Sequence, residues 1–128
     1  MRGRRGGLLH RKEPAKNISA ASKTVTSIAQ LNDAFRRHPG DGWLITCGVQ
    51  ARGAIFVLAA TSAVAAFHSF TPDNDPRGEH DFGAFELCGE RLFWKIDYYD
   101  NDLRFGSPDP ANPTITRRVI TIMLASEY

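Results

Sequence analysis

The stretch RLFWKIDYY, Arg91 to Tyr99, decides the fold. Leu92, Trp94, Ile96 and Tyr98 alternate there with Arg91, Phe93, Lys95 and Asp97. A period of two is the signature of a strand and puts the first set on one face. A second apolar run, Gly83 to Leu87, lies just upstream and is joined to it around Cys88-Gly89-Glu90. Two strands with so short a glycine-containing link form an antiparallel hairpin. The alternation makes Trp94 and Tyr98 core residues and turns Tyr99 toward the other face, as the better surface candidate.

Working outward toward the N-terminus, Thr71 to Gly78 (TPDNDPRG) is dense in turn formers and reads as a loop. Ala54 to Ser69 reads as a helix. Its small residues allow close packing on a sheet, and its near absence of charge predicts that it is largely buried. Gly42 to Cys47 (GWLITC) reads as a short buried strand. Structure is expected to begin near Thr26, where Ser27-Ile28-Ala29-Gln30 fits a capping box. Ile28, Leu31 and Phe35 then share one helix face, basic residues 36–38 suit the last turn, and Pro39-Gly40 stops the helix.

Toward the C-terminus, Asn101 to Asn112 is an irregular connection. Asn112-Pro113 resembles an N-cap followed by proline in the first turn. Ile115, Val119, Ile122 and Met123 fall at helical spacing, although their branched neighbours also permit a strand. The expected architecture is a small α+β domain over residues 24–128, in the order α-β-α-β-β-α. An antiparallel hairpin-based sheet packs against two or three helices, behind a disordered basic tail at residues 1–23.

Composition narrows the class. The chain has 128 residues, 42% hydrophobic and 23% charged, which is enough to bury a core without metal or disulfide staples. Its two cysteines, Cys47 and Cys88, are too few and too far apart for a disulfide scaffold or a four-ligand zinc site. They are expected as buried thiols in a reducing cytoplasm. The most apolar run, Gly53 to Phe67, is short of the roughly twenty residues a membrane span needs. Arg4-Arg5 superficially suggests an export signal, but His10-Arg11-Lys12-Glu13-Pro14 stands where the apolar stretch should follow. The expected localisation is cytoplasmic, with no membrane partner.

The net charge of +2 conceals an asymmetry. Residues 1–23 carry seven Lys or Arg and one Glu, whereas residues 71–109 carry ten Asp or Glu and four Lys or Arg. A basic arm suits phosphate, so nucleic acid is a candidate partner through the tail alone. No aromatic residue in the tail offers a base a stacking platform.

Three stretches carry potential chemistry. Asp73-Asn74-Asp75-Pro76-Arg77-Gly78 partly fits a calcium loop, but Arg77 and Ala84 stand where ligand oxygens belong. Glu79-His80-Asp81 concentrates ionisable groups. With Asp97, Asp100 or Asp102 it could assemble a hard-metal or acid/base site, most concretely a metal-assisted hydrolase in which Asp97 and Asp100 hold the ion and His80 moves the proton. His80 and Asp97 are the catalytic candidates on that reading; no cofactor is expected otherwise. Trp94, Tyr98 and Tyr99 around Lys95 and Asp97 are the candidates for a partner-binding patch. There is no phosphate-cradling glycine loop and no nucleophile elbow.

From Ile28 onward the chain resembles the domain-of-unknown-function family 3768. The resemblance rests on IAQLNDAFRR (28–37), FTPDNDP-GEHDFGAFE (70–86, omitting Arg77), FWKIDYYDNDLR-GSPDPANP (93–113, omitting Phe105) and TRRVITIMLASEY (116–128). Residues 50–69 depart from it: the helix start lacks charge, and His68 stands where an acidic residue is common. The resemblance implies no activity. It implies an alphaproteobacterial setting and genes that accompany plasmids and other mobile elements. Its motif positions are Asp73, Asp75, Glu79, His80, Asp81, Lys95, Asp97, Tyr98, Tyr99 and Asp100, the polar cluster already reached from the residues. The expected function is an interaction module in preference to an enzyme. It would engage a basic or nucleic-acid-handling protein through an acidic loop-and-hairpin face.

Overall fold

A computed structural model describes the backbone of residues 23–128 and the side chains from Ile28 onward. The basic tail, except Lys23, lies outside the described residues. The elements in chain order are α1 (Lys23–Arg36), β1 (Trp43–Ile45), α2 (Cys47–Gln50), α3 (Ala54–Ala65), β2 (Phe82–Leu87), β3 (Glu90–Tyr99), β4 (Arg117–Leu124) and a 3-10 turn (Ala125–Glu127). Helix α1 starts upstream of the expected capping box, so Ser27 lies inside the helix rather than at its cap.

The hairpin forms as its alternation predicts. β2 and β3 pair antiparallel without interruption from Phe82 opposite Lys95 to Leu87 opposite Glu90. Cys88 and Gly89 make the turn with φ of 51° and 78°. Two successive positive φ values match the right-handed twist of the strands; glycine adopts them freely and cysteine at a cost.

The final element corrects the expected order. Residues 117–124 form strand β4, not a helix. Helical spacing relates Val119, Ile122 and Met123, but Ile120, Ile122 and Leu124 also alternate. β-Branched residues favour the pleated form when both sides can pair. Both sides do: β4 runs antiparallel to β3 and parallel to β1. The sheet is therefore mixed and four-stranded, in the order β1-β4-β3-β2, and the α+β class holds.

One face of the sheet carries the core. Leu92, Trp94, Ile96, Ile120, Ile122 and Leu124 pack against Val49 of α2 and Ala60 and Val64 of α3. α3 corrects the expectation of a largely buried helix. Ile55 is 83% and Leu58 66% exposed. Lack of charge says that a helix can be buried; a two-layer domain offers it a sheet on one side only. Cys47 and Cys88 are both exposed, at the start of a short helix and in the hairpin turn, and not buried as expected. No described helix is long and apolar enough to cross a membrane.

Candidate functional site

Polar chemistry gathers where α1 crosses the ends of β3 and β4. Ile28, Asn32 and Arg36 follow one another at i, i+4 spacing and form the buried stripe of α1, at 7%, 0% and 2% exposure. Two polar side chains in a core stripe must find partners there, because an unsatisfied buried group costs about 1–3 kcal/mol. Asn32 Nδ2 donates to the Glu79 carbonyl and to the Tyr98 hydroxyl, both at 2.8 Å. Arg118 Nε donates to Asn32 Oδ1 at 2.6 Å. The Tyr98 hydroxyl donates to Glu79 Oε1 at 2.9 Å, and the Arg118 guanidinium lies 5.2 Å from the centre of the Tyr98 ring. Burial holds the Tyr98 phenol above its usual range, so it stays protonated.

Arg36 and His80 form the second half of the cluster. Arg36 donates to Asp33 at 3.0 Å and to the Phe67 carbonyl at 2.8 Å, and lies over the Phe70 and Trp94 rings at 5.2 and 5.1 Å. His80 adopts φ 57°, uncommon for a side-chain-bearing residue. Its ring stacks on Phe70 with centroids 4.0 Å apart. Its Nδ1 sits 3.0 and 3.1 Å from the two Asp33 oxygens, and its Nε2 3.6 Å from Asp75. Asp75 also accepts from the backbone amides of Glu79 and His80, which explains how the loop holds its shape. A recess of about 240 Å³ opens beside this cluster, lined by Arg36, Arg37, His68, Phe70 and His80.

The ten expected positions do not meet at one point. Asp75, Glu79, His80 and Tyr98 join the network just described. Asp81 is half-buried beside them; burial, and then the nearby Glu79 charge, push its carboxyl above the usual range. Asp73 is exposed on the loop. Lys95 and Asp97 pair with each other at 3.2 Å. Alternation along β3 puts them on the face opposite Ile96 and Tyr98. Tyr99 shares that face and bridges to Gly106. Asp100 accepts from the Arg104 amide and shapes the loop after β3. Thus His80 belongs to the helix-covered side, through Phe70 and its edge-on contact with Trp94, and Asp97 to the open side. The expected His80–Asp97–Asp100 grouping is not assembled. Among the described residues no three potential ligands converge on one metal position.

Asn32, Asp33, Arg36 and Arg118 are the members that the expected set lacks. One signal for two of them is present in the sequence: Asn32 and Arg36 interrupt an apolar stripe headed by Ile28. The assembled chemistry ties the 70–80 loop to α1 and β3. His80 has an orienting carboxylate, Asp33; on its other side a second recess is lined by Thr71, Asp75 and Arg77.

A family model described as "Protein of unknown function (DUF3768)" matches residues 45–127. No curated protein and no solved structure matches the chain.

Proposed function

The chain belongs to the family described as Protein of unknown function (DUF3768), and from that premise we propose that it is an interaction module for a basic protein partner. One observation supports this reading above the others: beyond the Asp75–Glu79–His80 network, the carboxylates of residues 71–109 are spread over the loops and strands, with Asp73, Asp102 and Asp109 exposed. Ten acidic side chains face four Lys or Arg in that segment. Asp100 and Asp109 each accept from a backbone amide, which fixes their orientation. Such a surface steers a cationic partner through long-range attraction. The two accessible, unpaired thiols fit action in a reducing cytoplasm. A role as an accessory factor of mobile elements is the setting we assign to it.

The test uses an arginine-rich peptide as probe, titrated at low and at moderate salt. Asp73, Asp102 and Asp109 are exposed. The combined Asp73→Asn, Asp102→Asn and Asp109→Asn variant is expected to bind the peptide about tenfold more weakly at low salt, with a shallower salt dependence. Equal affinity and equal salt dependence in the variant would remove the acidic-face reading.

A further inference from the structure

The two edges of the sheet differ. β1 is three residues long, whereas β2 is six residues long and presents an open edge. The hairpin geometry fixes which backbone groups that edge exposes. In a two-residue turn the flanking pair, Leu87 and Glu90, exchanges hydrogen bonds, and bonded pairs then recur at every second residue. Phe85 with Leu92 and Gly83 with Trp94 are therefore bonded pairs, and the Ile96 amide duly donates to the Asp81 carbonyl at 2.8 Å. Phe82, Ala84 and Glu86 direct their N–H and C=O groups away from β3. Among the described residues nothing pairs with them. The edge has no proline, lysine or bulge, and Glu86 is its one charge; these are the devices that ordinarily keep an edge from pairing.

A groove of about 510 Å³ runs beside this edge, lined by Phe67, Asn74, Phe82, Ala84, Phe93 and Tyr128. We propose that β2 pairs antiparallel with β2 of a second copy of this chain, about a two-fold axis at Ala84, to give a continuous eight-stranded sheet. The sequence FGAFEL is self-complementary in that register. Ala84 meets Ala84, the smallest side chain that can stand at a dyad. Phe82 meets Glu86, so each outward-directed residue meets another and about six backbone hydrogen bonds close. Phe85 of each copy falls opposite Gly83 of the other. Gly83 is bare because Trp94 Nε1 fills the place of a Cβ, with the Phe67 ring 2.9 Å from it. The incoming Phe85 thus lies over the half-buried Phe67, where the chain itself has no side chain. The two Glu86 carboxylates stand about 14 Å apart along the strands, so like charges do not oppose. This pairing is independent of the acidic-face reading, since the variants that test that reading leave β2 untouched.

The experiment is sedimentation equilibrium of the full chain from low micromolar to near-millimolar concentration, with amide hydrogen exchange at both ends of the range. The mass is expected to rise from one chain to two. The amides of Phe82, Ala84 and Glu86 should be fast in dilute solution and slow in concentrated solution, with those of Gly83 and Phe85 slow in both. Ala84→Pro removes an outward donor without breaking the ladder to β3, and should weaken association at least about tenfold while keeping the melting temperature measured in dilute solution. If that variant does not fold, the concentration dependence of the three wild-type amides decides alone. A single-chain mass throughout the range, or a dimer in which those three amides still exchange fast, would overturn the proposal.

Discussion

The two faces of β3 carry alternate residues of one nine-residue stretch and lead opposite lives. On the helix-covered face Trp94 is fully buried, ringed by Phe67 and Phe70 at 5.4 and 6.1 Å and by the Arg36 guanidinium. On the open face Phe93 meets Phe82 and Tyr128, at 5.4 Å each, and the Arg91 guanidinium at 5.8 Å, beside the Lys95–Asp97 pair. Tyr128 is itself 74% exposed. Similar aromatic content thus does different work. The first face closes a core from which water is excluded; the second supplies an apolar surface that water still reaches. The period of two assigns each residue to a face, and the helices decide which face becomes the core.

The comparison breaks most directly at the two aromatic positions. Trp94→Ala should cost about 3–5 kcal/mol in urea unfolding, as removal of a large buried ring does. Phe93→Ala should cost about 1 kcal/mol or less, because its surroundings are partly solvated already. Equal losses at the two positions would mean that the open face is covered by something outside the described residues. Gly83→Ala sharpens the same point from the edge strand. The added methyl meets Trp94 and Phe67, and the overpacking should cost about 1–3 kcal/mol.

Much of this was legible in the sequence, for reasons that differ by element. The hairpin could be read because period, turn and length agree, and no distant contact is needed to choose among them. α1 could be read because Pro39-Gly40 ends it. β4 could not, because residues 115–123 satisfy both a helical and an alternating pattern. The choice is made by β1 and β3, which lie 70 and 20 residues or so upstream and hold it from both sides. For the site, local grouping was visible in Glu79-His80-Asp81, but the partner of His80 was not. Asp33 lies 47 residues away in sequence, and only the docking of α1 brings it to the ring. The separation of Asp97 from that cluster did follow from alternation: a neighbour of Tyr98 on a strand cannot share its face.

A smaller effect separates the two kinds of polar contact on these faces. Asn32 is wholly buried and joins three partners, so Asn32→Ala leaves Tyr98, Glu79 and Arg118 short of a hydrogen bond and should cost about 1–3 kcal/mol. Asp97→Asn weakens one solvated ion pair with Lys95 and should change stability by about 0–1 kcal/mol. Both are read from denaturant midpoints at unchanged slope. A large loss for Asp97→Asn would give the open face a structural charge network that its geometry does not show.

The finest contrast is between two carboxylates whose stabilities run in opposite directions with pH. Glu127, in the 3-10 turn, accepts from the Thr46 hydroxyl at 2.7 Å and from the amides of Leu124 and Gly48 at 2.8 and 3.0 Å. Those bonds, the Thr46 hydroxyl first, hold its carboxyl below the usual glutamate range. A depressed folded value means that the unfolded chain binds the proton first. The stabilisation is therefore complete above the ordinary range and is lost as pH falls through the lowered value. Asp81 is the reverse. Burial raises its carboxyl, so its ionised form opposes folding at neutral pH, and that penalty fades as pH falls through the raised value toward the unfolded one. Glu127→Gln should then lower the melting temperature at neutral pH and flatten its fall in acid. Asp81→Asn should raise it at neutral pH and lose the advantage in acid. Melting curves of the three proteins across the acid range check both signs at once. A common sign for the two variants would show that the Asp81 carboxylate is held by a favourable contact rather than merely buried, and would join it to the loop network around Asp75 and Glu79.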